Sequence, residues 1–244
     1  MLDIWPALPI VVRVRGDYDV INNNILDALE KHDRICEVDV DHVSKELAGA
    51  MQVTFPALTH LNIDSFSSRA SFPETFLGGS APNLRSLCLT CIAFPALPRL
   101  LLSYPGLLSL TLIDIPDSGY ISSDAMVDCL SSLTRLEHLQ IEFRPSQPLP
   151  NRASRRPPTL TCPPFPVLST LILKGVTEYL DQVLAHIEAP HLNNARIEFI
   201  DPELMHITFP ALPKLLLSSP GLVNLIFLVP GTSPPIQSSI ACPH

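Results

Sequence analysis

The sequence predicts an α/β solenoid: a curved parallel sheet lining a concave face, with helices and irregular returns on the convex side. Three observations predict it. A six-residue pattern, aliphatic-x-x-aliphatic-x-aliphatic, is written eight times; prolines stand two residues ahead of six of those writings; and one phrase is written twice, FPALPRLLLSYPGLLSLTL at 94–112 and FPALPKLLLSSPGLVNLIF at 209–227. The two phrases agree at 13 of 19 positions. Near-copies of this kind point to a repeated structural unit.

In chain order the pattern is ICEVDV at 35, LTHLNI at 58, LRSLCL at 84, LLSLTL at 107, LEHLQI at 136, LSTLIL at 168, LNNARI at 192 and LVNLIF at 222. Successive starts lie 23, 26, 23, 29, 32, 24 and 30 residues apart, close to the spacing of leucine-rich repeats, so the longer steps hold insertions. Each pattern reads as a short strand whose second and third aliphatics point inward and whose intervening residues point to the concave face. PIVVRV, starting at Pro9, supplies a ninth, edge strand. The prolines of FPALTHL, APNLRSL, YPGLLSL, FPVLSTL, APHLNNA and SPGLVNL fall ahead of the ladder, where no backbone donor is lost. A lone unit cannot hide its apolar face, so the units must stack.

Helical spacing occupies 20–31, 44–51, 123–133 and 178–187. In the third of these Ala125, Met126, Cys129, Leu130 and Leu133 share one face, with Ser123, or Ser122 before it, as N-cap. The LPRLLL and LPKLLL of the doubled phrase are returns and not strands, since only ten residues separate Leu97 from Leu107. Pro98 and Pro213 then sit in a first helical turn. The solenoid spans 1–229; RPSQPLPNRASRRPPTLTCPPFP, 144–166, is an inserted loop, and 230–244 a disordered tail.

Composition narrows the function. Net charge is -8 and the pI about 5.4, which argues against nucleic acid, whose phosphates need a basic face. Mean hydropathy is +0.27, yet no apolar run is long enough to span a membrane. With Asp3, Pro6 and Pro9 the start lacks a signal-peptide pattern. Cys36, Cys88, Cys91, Cys129, Cys162 and Cys242 are scattered, and no Asn-x-Ser/Thr occurs, so the expected compartment is cytoplasmic or nuclear.

WPALPIVV (5–12), DALEKHDRICEVDV (27–40), FPALTHLNI (55–63), FLGGSAPNLRSLCL (76–89), SGYISSDAMVDCLSSLTRLEHLQIEF (118–143) and SRRPP (154–158) resemble the leucine-rich-repeat region of F-box proteins of basidiomycete fungi. The resemblance covers residues 5–200, and its most specific part is the SGYIS block. It implies repeats that select the substrate of a cullin-based ubiquitin ligase, with an F-box docking on the Skp adaptor. Nothing like the F-box helices or their LPxE-type opening is present here. The expectation is therefore a protein-binding module without adaptor binding; the alternative is a truncated paralogue or gene fragment that binds nothing and aggregates through its first strand.

The concave positions that would contact a protein are Glu37, Asp39, Asp41, His60, Asn62, Asp64, His138, Gln140, Glu142, Asn194, Arg196 and Glu198. Four carboxylates and His60 on the first two strands would suit a basic protein surface; plain solvation is the competing reading. CLTC, Cys88–Cys91, has the spacing of a metal or redox pair, but lacks a second pair and shares its strand with core leucines. His186 and His191 sit at a helix end without further ligand spacing. DSGYIS, 117–122, has the spacing of a phosphodegron, and equally that of a turn and cap. No nucleophile elbow, phosphate loop, dinucleotide glycine pattern or HExxH occurs, so no enzyme, cofactor or metal is expected.

Overall fold

The computed structural model describes residues 8–14, 23–41, 43–65, 71–94, 96–144, 165–200, 209–228 and 237–239. Strands β1 Ile10–Val14, β2 Ile35–Val40, β3 His60–Asp64, β4 Ser86–Thr90, β5 Ser109–Ile115, β6 His138–Phe143, β7 Thr170–Gly175, β8 Asn194–Phe199 and β9 Asn224–Leu228 form one open sheet in sequence order, every neighbouring pair parallel. Helices α1 Asn23–Leu29, α2 Lys45–Ala50, α3 Leu97–Leu102, α4 Ser123–Ser131, α5 Thr177–Leu184 and α6 Ala211–Ser218 alternate with them. Consecutive order with parallel pairing requires each connection to cross back over the sheet, and α3 to α6 pack side by side in a row.

Register turns the sequence pattern into ladders. Val38, Leu61, Leu87, Leu110, Leu139, Leu171, Ala195 and Leu225 stand side by side, as do Val40, Ile63, Leu89, Leu112, Ile141, Leu173, Ile197 and Phe227. All except Phe227 are buried. The first aliphatic of each pattern, Ile35 through Leu222, is buried as well.

The strand-entry prolines have a more definite role than standing clear of the ladder. The amide of Leu58, Leu84, Leu107, Leu168, Leu192 or Leu222 donates to the carbonyl three residues back, at Phe55, Ala81, Tyr104, Phe165, Ala189 or Ser219. Pro56, Pro82, Pro105, Pro166, Pro190 and Pro220 each occupy the second position of that β-turn, where a fixed φ is already the one required. Leu136 closes the same turn on Leu133 without a proline.

Helix boundaries shift from the expected ones. Within 20–31 the helix is Asn23–Leu29, and 20–22 lie outside the described residues; in place of 178–187 it is Thr177–Leu184, beginning one residue earlier and ending three earlier. Ser44 caps α2, accepting from the Leu47 amide at 3.1 Å. The cap of α4 is Ser122, which accepts from Ala125 at 3.3 Å, and not Ser123. Ser123 is buried and its hydroxyl instead bonds the Gln182 side chain of α5, tying two helices together. Met126, Cys129, Leu130 and Leu133 are buried as their spacing requires, and Ala125 is half-buried against the same core. The doubled phrase does supply two helices, with Pro98 second in α3 and Pro213 third in α6.

Asp117–Gly119 is a single 3-10 turn, followed by buried Ile121 and the Ser122 cap, so DSGYIS is folded into the array. Most of the predicted insertion, 145–164, lies outside the described residues. Within the span predicted as a tail, Gln237–Ser239 form β10, antiparallel to β9; 230–236 and 240–244 lie outside the described residues.

Candidate interaction surface

The residues between the ladder positions occupy the other face of the sheet, and the register sorts them into rows. One runs Val11, Glu37, His60, Ser86, Ser109, His138, Thr170, Asn194, Asn224. The next runs Arg13, Asp39, Asn62, Cys88, Thr111, Gln140, Ile172, Arg196, Ile226. A third holds Asp64, Thr90 and Ile113, and resumes as Glu142, Lys174, Glu198 and Leu228. Every strand residue predicted for this face lies in one of these rows; Asp41 follows β2 directly, its amide bonded to the Val14 carbonyl.

The twelve predicted residues do not form one site. Glu37, Asp39, Asp41, His60, Asn62 and Asp64 belong to β2 and β3, whereas His138, Gln140, Glu142, Asn194, Arg196 and Glu198 belong to β6 and β8. Four strand spacings separate Glu37 from His138 in their common row, about 19 Å. Along these rows the strands between present the uncharged Ser86, Cys88, Thr90, Ser109, Thr111 and Ile113.

Within the second group charge is largely compensated. Lys174 Nζ lies 2.8 Å from Glu198 Oε1 and Arg196 lies 3.1 Å from Glu198 Oε2. Burial pushes the Glu198 carboxyl up, but hydrogen bonds from Lys174 and Arg196 outweigh it and hold it below the usual glutamate range. The Gln140 amide donates to Glu142 at 2.6 Å and the Asn224 amide donates to Asn194 at 2.8 Å.

The first group is less acidic than its composition. Arg13 of β1 donates two bonds to Glu37, at 3.0 and 2.8 Å. Asp39 is buried and accepts from Asn62 at 2.8 Å. His60 Nδ1 lies 2.9 Å from the Thr59 hydroxyl. What remains is a rim of like charge at the ends of the strands: Asp41, Asp64 and Asp114. Burial pushes the Asp64 carboxyl above the ordinary aspartate value, Asp41 and Asp114 push it further, and the Ser65 amide opposes them. Asp64 Oδ1 is buried without a hydrogen-bond partner. Among the described residues, no lysine or arginine forms a salt bridge with these three.

Asp114 was missed by the alternation rule, which points it into the core. The β5–β6 register shifts between Leu112 and Ile115, and Asp114 takes a left-handed backbone with φ 51°. Its counterpart one unit earlier, Cys91, has φ 58°. Aspartate tolerates that conformation better than most residues, and an Asp inside an otherwise aliphatic strand was the available signal.

The other sequence candidates take structural places. Cys91 is buried, with Arg144 donating to its sulfur at 3.2 Å, while Cys88 is half-buried on the open face and burial raises its thiol. His186 Nδ1 lies 2.8 Å from the Gln182 carbonyl, and His191 is exposed. Among the described residues no group of three or more His, Cys, Asp or Glu could hold a metal ion, and no helix is long and apolar enough to cross a membrane. A cavity between α4 and α5, lined by Val127, Leu130, Phe165, Val183 and Ile187, offers only about 10 Å³, the room of a single water.

In comparison with known proteins, no family model, no curated protein and no solved structure matches the chain.

Proposed function

We propose that the chain is a leucine-rich-repeat solenoid that binds another protein on its open sheet face, without enzymatic activity, in the cytoplasm or nucleus. Its resemblance to the repeats of fungal F-box proteins makes substrate recognition for a cullin-based ubiquitin ligase the role we assign; no F-box pattern occurs in the sequence, and no adaptor contact is assigned to it. The observation that carries the reading is the register: successive units, 23 to 32 residues apart, put equivalent side chains into straight rows on a face that the helices leave open. Such rows suit an extended contact with a protein.

Within that face the partner's basic residues would meet Asp41, Asp64 and Asp114, because there a new cation relieves repulsion instead of displacing an existing pair. Glu37, Asp39 and the β6–β8 group contribute shape and hydrogen bonding. The test is a pull-down with the wild type and with Asp41→Lys/Asp64→Lys, both checked for folding by circular dichroism. The variant should lose a basic partner that the wild type retains in a salt-sensitive way. An unchanged partner set would refute the assignment.

A further inference from the structure

Strand β10 breaks the rule that builds the rest of the sheet. From β1 to β9 each neighbouring pair is parallel and in register over four to six residues. β10 runs antiparallel to β9 and meets it at three, Gln237 with Ile226, Ser238 with Leu225 and Ser239 with Asn224. β9 ends at Leu228 and β10 begins at Gln237, so eight residues separate them, fewer than a crossover to another parallel strand requires. β10 is therefore no further unit of the array but a return onto the β9 edge.

Its hold on that edge is slight. The Asn224 amide donates to the Asn193 carbonyl, on the β8 side, so alternation turns the backbone groups of Leu225 toward β10 and makes Leu225–Ser238 the pair that exchanges bonds. None of Gln237, Ser238 and Ser239 is of the β-branched or aromatic type that favours strands.

The register also shows what the edge lacks. In the ladder that starts at Val38 the members through Ala195 are at most 3% exposed, whereas Leu225 is 9% exposed even with β10 beside it. Phe227 of the second ladder is only half-buried, although its ring packs on Phe199 and Phe209 with centroids 4.9 and 5.3 Å away. Next to Leu225, where each earlier strand from β2 onward sets an apolar residue, β10 sets Ser238.

We propose that the β9 edge is a docking site for an extended segment of a partner protein, added antiparallel with an aliphatic residue beside Leu225, and that β10 is the strap that occupies this edge until the partner displaces it. The edge already accepts a strand in this direction and register. Backbone bonds hold the incoming segment, and the aliphatic residue selects it over a strap that offers serine. The site lies on the edge of the sheet and does not rest on the acidic rim of the open face.

The probes are two synthetic peptides: SPPIQSSIA, residues 233–241 of the chain itself, and the same peptide carrying Ser238→Val. Fluorescence anisotropy measures their binding to the full chain, as wild type and as Ser238→Pro, whose proline removes the amide hydrogen from the strap; circular dichroism checks the fold. Ser238→Pro should bind the valine peptide about tenfold or more tighter than the serine peptide, the effect of burying one valine, and tighter than the wild type binds it. Within the full chain, Ser238→Val should fasten the strap, raising the melting temperature and weakening peptide uptake below that of the wild type. Ser239→Val, beside Asn224 in an open-face row, should change neither. The proposal is overturned if Ser238→Pro takes neither peptide, takes both alike, or binds no tighter than the wild type, and equally if Ser238→Val and Ser239→Val behave alike. Should Ser238→Pro not fold, the comparison of the two valine variants with the wild type decides the matter alone.

Discussion

Leu101→Ala and Leu216→Ala make the same chemical change at equivalent places in the doubled phrase, and the structure separates their consequences. Leu101 is 0% exposed, on helix α3, which packs beside α4. Truncation removes three carbons from a closed core, about 2.4 kcal/mol of transfer free energy, and a cavity contribution raises the loss to about 3–4 kcal/mol. Leu216 is 37% exposed, so roughly two thirds of the transfer free energy is at stake, about 1.5 kcal/mol, and the space left behind opens to water. Urea unfolding followed by circular dichroism should show Leu101→Ala costing about 2 kcal/mol more, with the slope unchanged. Equal losses would mean that position in the row of helices does not set burial, and would remove the ground on which the stacking of the array stands.

Gly119 has its Cβ position 2.9 Å from the Ala93 Cα and 3.3 Å from the Phe94 amide nitrogen, so Gly119→Ala should cost about 1–3 kcal/mol through backbone displacement; Gly106→Ala, with nothing within 4 Å, should shift thermal stability little. Asp64 has a carboxyl raised chiefly by burial, so its protonated form favours the fold: its stabilising contribution is full below the unfolded aspartate pKa and is lost as pH rises through the folded one. Asp64→Asn should therefore melt higher than wild type at pH 7, and the difference should vanish near pH 3; a constant or reversed difference would contradict the crowding of Asp41, Asp64 and Asp114.

Much of the architecture was legible in the chain because the repeat is written in residue types that have one good use. LTHLNI, LRSLCL and LLSLTL alternate so strictly that a one-residue slip would put Leu61, Leu87 or Leu110 into water. Proline two residues ahead of a leucine marked where a strand begins, while the turn it occupies emerged only with the backbone bonds. Less legible were the positions settled by neighbours distant in sequence. Ser122 and Ser123 are chemically alike, and only the presence of Gln182, 59 residues on, draws Ser123 away from the cap. The site followed the same division. The rows were readable from period two, but whether a carboxylate in a row still attracts a cation was not.

By itself, then, the sequence determined the spacing of the strands, the inward ladders, the placing of prolines ahead of the strands and most of the open-face residues, because each depends on the chain within a few residues of itself; the turn bonds and Asp114 did not follow from it. Tertiary structure decided the charge of that face. Arg13 comes from β1 to Glu37, Asn62 from β3 to Asp39, and Lys174 and Arg196 converge on Glu198; a left-handed residue turns Asp114 toward Asp64. Electrostatic energy depends on distance and burial across strands, and neither quantity exists until the units have stacked.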